Sequence, residues 1–279
     1  MFRLALTLLC LLPTQLPAQW IHYPTAGVPK TRAGKPNLSA PTPRTRDGKP
    51  DLSGMWWSAG ATLPCPEFMG GKDCAEKGLG LGQQGGGLPE QANDIAAGLA
   101  GGLPYTPWAA EVVKERSANP LTDPHSRCLP SNVPRGYSIP HIQKFLQTRG
   151  LLAILSEFNA SYRQIFTDGR PLPVDPQPSW NGYSTAKWEK DTLVVQSIGF
   201  RDDLWLDASG NPLTEAAKVT ERIRRPNFGS MEVELTVDDP KAYTKPWTVT
   251  LKQFLVLDTE LIDEICLENE KSIIHSPVK

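Results

Sequence analysis

The chain has 279 residues, a formal charge of −1 from 29 Lys plus Arg against 30 Asp plus Glu, and 39% hydrophobic residues. Charges of both signs are interspersed with no long basic block, which excludes an electrostatic footprint for nucleic acid or for an anionic membrane surface. With four histidines and five cysteines in all, metal and thiol chemistry are limited by supply.

Residues 1–18 read as a cleavable secretory leader: Arg3, the apolar run Leu4 to Leu12, then Pro17 and the small Ala18. That run is too short to span a bilayer and no later segment is longer, so a periplasmic or secreted protein without membrane insertion after cleavage is expected. Cleavage removes Cys10 and leaves Cys65, Cys74, Cys128 and Cys266, an even set in an oxidising compartment. Three pairings are possible. The Pro/Gly-rich segment between Cys65 and Cys74 can close on itself, so the nested pairing, Cys65 with Cys74 and Cys128 with Cys266, is expected. In the chain-entropy description the short loop contributes roughly 2.7 kcal/mol and the long one roughly 5 kcal/mol.

Residues 19–53 are Pro-rich, and Thr31-Arg32-Ala33-Gly34-Lys35-Pro36-Asn37-Leu38-Ser39 recurs as Thr45-Arg46-Asp47-Gly48-Lys49-Pro50-Asp51-Leu52-Ser53. Two copies built on a Gly-Lys-Pro turn predict an extended surface arm, not a solenoid. A single β-rich domain is expected over 54–270, with a loop and helix insertion at about 59–143 and a tail at 271–279. The insertion carries a helical piece near Pro89 to Leu99, ended by Gly101 and Gly102. A better helix follows over Trp108 to Arg116, with Thr106 as N-cap and Pro107 in its first position.

From Gln143 onward the apolar period changes to two. Leu151 to Ser156 is apolar on both faces, and Tyr162 to Thr167 follows after a turn at Asn159. Three hairpins are predicted: Tyr183–Trp188 with Thr192–Phe200, Val219–Arg225 with Met231–Val237, and Trp247–Leu257 with Leu261–Leu267. Met231, Val233, Leu235 and Val237 alternate with Glu232, Glu234 and Thr236, the pattern of a half-buried antiparallel strand. The fold class expected is therefore mainly β: an antiparallel meander of about eight strands that closes into a lipocalin-like barrel, behind a Gly/Pro-rich N-terminal part with one or two short helices. Gly54-Met55-Trp56 would open the first strand, like the G-x-W start of such barrels.

The doubled Gly-Lys-Pro-x-Leu-Ser arm, Cys128-Leu129-Pro130 with Pro134-Arg135, Thr167-Asp168-Gly169-Arg170, Asp191-Thr192-Leu193-Val194-Val195, Thr220-Glu221-Arg222, Asp238-Asp239-Pro240 through Pro246-Trp247, and Cys266-Leu267-Glu268-Asn269 resemble an uncharacterised family of exported proteins from environmental bacteria. The resemblance covers nearly the whole mature chain and implies no activity. Lys190 departs from it, standing where the family has Gly in a Trp-x-Gly-Asp-Thr turn.

Local motifs carry little chemistry. Gly80-Leu81-Gly82-Gln83-Gln84-Gly85 fits G-x-G-x-x-G but follows no strand, so dinucleotide binding and any other cofactor are not expected. Ser184-Thr185-Ala186-Lys187 fits S-x-x-K on a strand, where a nucleophile lacks its helix start. A metal would have to combine His125 and His141 with carboxylates, and no ligand spacing supports that, so no metal is expected. The remaining constellation is polar residues that strand alternation places among apolar neighbours. Glu157, Glu221 and His141 are the acid–base candidates. Arg135, Arg163 and Arg222 are candidates to pair with them or with a ligand. Trp180 and Trp188, among eight tryptophans, offer stacking surface. Three functions follow as expectations: binding of a small, partly apolar molecule in the barrel interior or mouth; a lyase, isomerase or hydrolase using those carboxylates or His141; or an envelope scaffold without a small-molecule site.

Overall fold

The computed structural model describes residues 24–58 and 94–268. The leader, Cys65 with Cys74, the glycine-rich motif and the tail lie outside them. Nine strands, β1 (Gly54–Ser58), β2 (Gln143–Gln147), β3 (Leu151–Ser156), β4 (Tyr162–Phe166), β5 (Tyr183–Glu189), β6 (Thr192–Ile198), β9 (Lys218–Asn227), β10 (Ser230–Asp238) and β11 (Trp247–Val256), close into a barrel. A separate ribbon pairs β7 (Leu204–Trp205) with β8 (Pro212–Leu213). The ring closes because β1 pairs with both β2 and β11, leaving neither edge open. The chain is thus mainly β and a closed barrel, as its alternation predicts.

The pleat decides what fills the barrel. Val219, Glu221, Ile223 and Arg225 of β9 are buried while the residues between them are not, and Met231, Val233, Leu235 and Val237 of β10 behave alike. Trp56, Phe145, Leu152, Ile165, Leu193 and Leu251 join the same core cluster, so the interior, one of the two places where a ligand was expected, is packed with side chains. At the β5–β6 turn Lys190 takes φ 54°, the left-handed conformation that a Gly would adopt without strain.

Two expected features come out differently. The meander breaks once: β4 and β5 are parallel and pair only at Ile165↔Ser184 and Phe166↔Thr185. The Pro-rich connection 167–182 cannot make a tight hairpin and returns β5 in the same direction as β4, leaving a splayed seam. The third hairpin is overturned as well. Because β1 occupies the free edge of β11, residues 257–268 form no strand beside it. They lie against the outside instead: Leu261 packs on the cluster of Met55, Trp57 and Ile142, and Lys144 Nζ meets Glu260 Oε2 at 2.7 Å. Glu264 bridges Phe158 just past β3, and Cys266 is disulfide-bonded to Cys128 across 138 residues.

Both repeat copies adopt the same turn, with bridges Lys30↔Pro36 and Arg44↔Pro50 and positive φ at Gly34 and Gly48. They lie over one end of the barrel. The Phe228 N–H donates to Ala40 O and the Gly229 N–H to Leu38 O; a Cβ on Gly229 would sit 2.5 Å from that of Leu38. Arg225 stacks on Trp56 and Phe228 and donates to Asp51 O. The helix α1 (Pro107–Ala118) has Thr106 as its cap, accepting from the Ala109 N–H. From Asp94 the other helical piece is a series of tight turns, Ala97 N–H to Asp94 O and Leu99 N–H to Ala96 O.

Candidate functional site

Strand register puts Glu221 opposite Val195 on one side and Leu235 on the other, facing inward. It is fully buried (0% side-chain exposure) and its partner Arg163 of β4 is 5% exposed. The contact is two-pronged: Nη2 to Oε1 at 2.6 Å and Nη1 to Oε2 at 2.9 Å. The Tyr137 hydroxyl, lowered into this end of the barrel by the loop before β2, donates to Glu221 Oε2 at 2.9 Å. Arg163 Nη2 also donates to the hydroxyls of Ser184 and Ser197, which bond each other. Burial pushes the Tyr137 phenol well above its ordinary range, and the Glu221 carboxylate adds to that. Burial opposes the charge on Arg163, and Glu221 outweighs it, leaving the guanidinium pKa raised. The group is one cation against one anion, fully hydrogen-bonded except at a single atom, Arg163 Nε.

That atom belongs to a set. Asn132 Oδ1, Gln143 Oε1 and Arg163 Nε are buried without a partner, and all three residues line one inner chamber of about 30 Å³ beside Tyr137 and Ile154. The amides are oriented by their other ends, Asn132 Nδ2 donating to Trp205 O and Gln143 Nε2 to Gly136 O, so both present carbonyl oxygens. A space of this size holds about two waters. Outside it, where β4 and β5 splay, lies a cleft of about 530 Å³. Tyr162, Phe166, Trp180 and Tyr183 give it aromatic walls, and Ser161, Tyr162, Arg163 and Asn181 belong to both cleft and chamber. The nearby cations are already compensated: Arg170 pairs with Asp168 and covers Phe166, and Arg201 pairs with Asp203 and covers Trp180.

The other acid–base candidates are elsewhere. Glu157 falls on the outward parity of β3, and its Oε1 accepts the Ile142 N–H at 2.7 Å. His141 Nδ1 is 3.8 Å from Glu157 Oε1 and 3.1 Å from Glu264 Oε2. His125 stacks on Phe158 and contacts the His141 ring. Burial pushes the His125 imidazole down to about 4, with Arg135 and His141 adding to it. Burial also lowers His141 against the pull of Glu264, and raises Glu157.

Three expected contributors stand apart from the inner cluster. Arg135 is spent on a buried two-pronged pair with Asp123, both bonds 2.7 Å, a partner the loop composition did not suggest. Arg222, one residue from Glu221, points outward to Glu189 and Glu234. Trp188 packs at the arm end beneath Lys49. Tyr137, Ser184, Ser197, Asn132 and Gln143 are neighbours in the inner cluster and chamber that the sequence reading did not place there. Ser184 and Ser197 had a signal, since each sits on the inward parity of its strand. Ser184 is buried while Lys187 is exposed, so the S-x-x-K pair does not converge.

Fold and site together define a closed, mixed β-barrel with a packed interior, a charge-neutral polar cluster at one end and an aromatic cleft in its wall. No protein family model, no curated protein and no solved structure matches the chain. Among the described residues no helix is long and apolar enough to cross a membrane.

Proposed function

We propose that the protein is a periplasmic or secreted binder of a small, neutral, partly apolar molecule, which it takes at the β4–β5 seam. The observation that carries this reading is that the three residues with an unpartnered buried polar atom, Asn132, Gln143 and Arg163, all line a chamber that shares Ser161, Tyr162, Arg163 and Asn181 with the aromatic cleft. Buried polar groups are nearly always satisfied, so two carbonyl oxygens and a guanidinium N–H without partners mark a place where a head group or water belongs. The cleft lies within the size range of small-molecule sites. Arg163 is already neutralised by Glu221, so an anionic ligand would bring an uncompensated charge, whereas a hydroxyl or amide head would meet both donor and acceptor demands. The ring or chain of the ligand would lie on Tyr162, Trp180 and Tyr183. Acid–base catalysis by Glu221 has less support, because its carboxylate is sealed and paired.

A thermal-shift and NMR saturation-transfer screen of neutral sugars, aromatic alcohols and amides, with carboxylates of the same size as controls, tests the reading. Neutral hits are expected, weakened at least tenfold by Tyr162→Ala combined with Trp180→Ala. Hits confined to carboxylates, or indifferent to that double variant, would sink it.

A further inference from the structure

The outer cluster is built differently from the inner one. His141 comes from the start of β2, Glu157 from just past β3 and Glu264 from the C-terminal segment, yet one ligand-type atom from each lies within 4.8 Å of the others. The three are stitched at the backbone: the Glu264 N–H donates to Glu157 O, the Glu157 N–H to Ile142 O, and the Asn159 N–H to Glu264 O. The Cys128–Cys266 bond clamps the same place, with Cys266 two residues beyond Glu264.

Among the described residues no lysine or arginine pairs with Glu157 or Glu264. Two carboxylates are therefore gathered around one imidazole, with no cationic side chain bonded to either among the described residues. His141 and Glu157 are 14% and 13% exposed, so water screens them poorly; Glu264, at 48%, leaves one side open. A tetrahedral zinc ion with bonds of about 2.0–2.1 Å holds its ligand atoms about 3.3 Å apart. His141 Nδ1 stands 3.1 Å from one carboxylate oxygen and 3.8 Å from the other. Glu157 is also oriented by the Ile142 N–H, the kind of supporting bond that positions metal ligands.

We propose that His141, Glu157 and Glu264 form a binding site for a divalent transition cation of the zinc class on the outer face of the barrel, its shell completed by water on the Glu264 side. The imidazole nitrogen selects against magnesium and calcium, which prefer all-oxygen sets. Two carboxylates and a neutral imidazole match the cation's charge. The ion would tie the C-terminal segment to the ends of β2 and β3, at the point the disulfide already clamps.

The test uses the full mature chain, stripped with chelator and then titrated with Zn²⁺ by calorimetry and with Co²⁺ by absorption. One equivalent of Zn²⁺ is expected to bind saturably, and Co²⁺ to give the visible bands of a nitrogen- and oxygen-ligated ion. His141→Ala and Glu264→Gln should each weaken Zn²⁺ by on the order of 100-fold. Glu264 is half exposed, so its variant should fold normally. Glu260→Gln, His22→Ala and His275→Ala should leave the affinity within twofold. No saturable binding, or binding that survives both His141→Ala and Glu264→Gln, would overturn the proposal. Loss of binding with His22→Ala or His275→Ala would place the ion elsewhere and overturn it equally. The cleft variants Tyr162→Ala and Trp180→Ala are expected to leave metal affinity unchanged, which keeps this result separate from that of the ligand screen.

Discussion

The barrel carries two clusters built on carboxylates, one inside and one on its outer face, and they are opposites. Inside, Glu221 faces a guanidinium and a phenol in full burial, and the guanidinium in turn donates to two serine hydroxyls. Outside, Glu157 and Glu264 face one imidazole, and only Glu264 is open to water. The inner cluster is electrostatically closed and shapes the wall of the chamber; the outer one retains negative charge that an added cation can meet. Similar residue types therefore serve packing in one place and invite a ligand in the other, and the difference lies in which partners the fold delivers.

The largest expected effect comes from opening the inner pair. Glu221→Leu strands the Arg163 charge in the core and should cost about 3–5 kcal/mol in urea unfolding. Arg163→Met combined with Glu221→Leu should cost much less than the two single changes added together, because no lone charge remains. A double-variant cost equal to the sum of the two single changes would mean that the pair is not closed as described.

Loosening the outer cluster should cost less. Replacing Cys128 and Cys266 by serine removes a bridge whose chain-entropy limit is about 5 kcal/mol, and native strain and residual structure bring the usual loss to about 2–4 kcal/mol. Hydrogen exchange should then rise in 257–268 and at the ends of β2 and β3, while amides of β6 and β9 stay protected. Exchange rising equally in both regions would show that the two clusters unfold as one unit.

A finer probe is Tyr137→Phe, which deletes one of the donors to Glu221 and leaves Arg163 in place. The expected cost is about 1.5–3 kcal/mol, that of one hydrogen bond to a charged group. The chamber should survive, so a neutral ligand found in the screen should keep its affinity within a fewfold. A loss as large as that of Glu221→Leu would show that Tyr137 holds the barrel end together.

Most of this scaffold was legible in the chain. Alternation reads out β9 and β10 to within a residue or two, Thr106-Pro107 marks the start of α1, and Gly54-Met55-Trp56 opens β1. The parity that hides Glu221 was equally readable, while the Cys128–Cys266 bond was the preferred one of three pairings the sequence left open. Pairings between distant segments were not. Nothing local says that the edge of β11 goes to β1, so residues 261–267 read as a strand beside β11 when they make only a single bridge, from Glu264 to Phe158. The same blindness hid Glu264, which the fold brings to His141 and Glu157 from the C-terminal segment. The parallel β4–β5 contact rests on two residue pairs, too few to leave a pattern, and the cleft exists because of it. Asn132, Tyr137 and Gln143 come from a Pro-rich loop and a strand start where no period marks an inward face.

The smallest effect makes the sharpest test of register. Arg222 is adjacent to Glu221 yet 42% exposed, with Nη1 3.1 Å from Glu189 Oε2 and Nε 3.8 Å from Glu234 Oε1. Such surface pairs exchange solvated charges for solvated charges and contribute little, so Arg222→Ala should cost no more than about 0.5–1 kcal/mol, and less at high salt. Because side chains alternate along a strand, a slip of one residue would turn Arg222 into the core and Glu221 out to water. In that arrangement Arg222→Ala would become the severe variant and Glu221→Leu the mild one. Measured side by side by urea unfolding, the two adjacent substitutions are expected to differ by about 2 kcal/mol or more in favour of Arg222→Ala. The opposite order would mean that the carboxylate inside the barrel, and with it the wall of the chamber, has been assigned to the wrong face of β9.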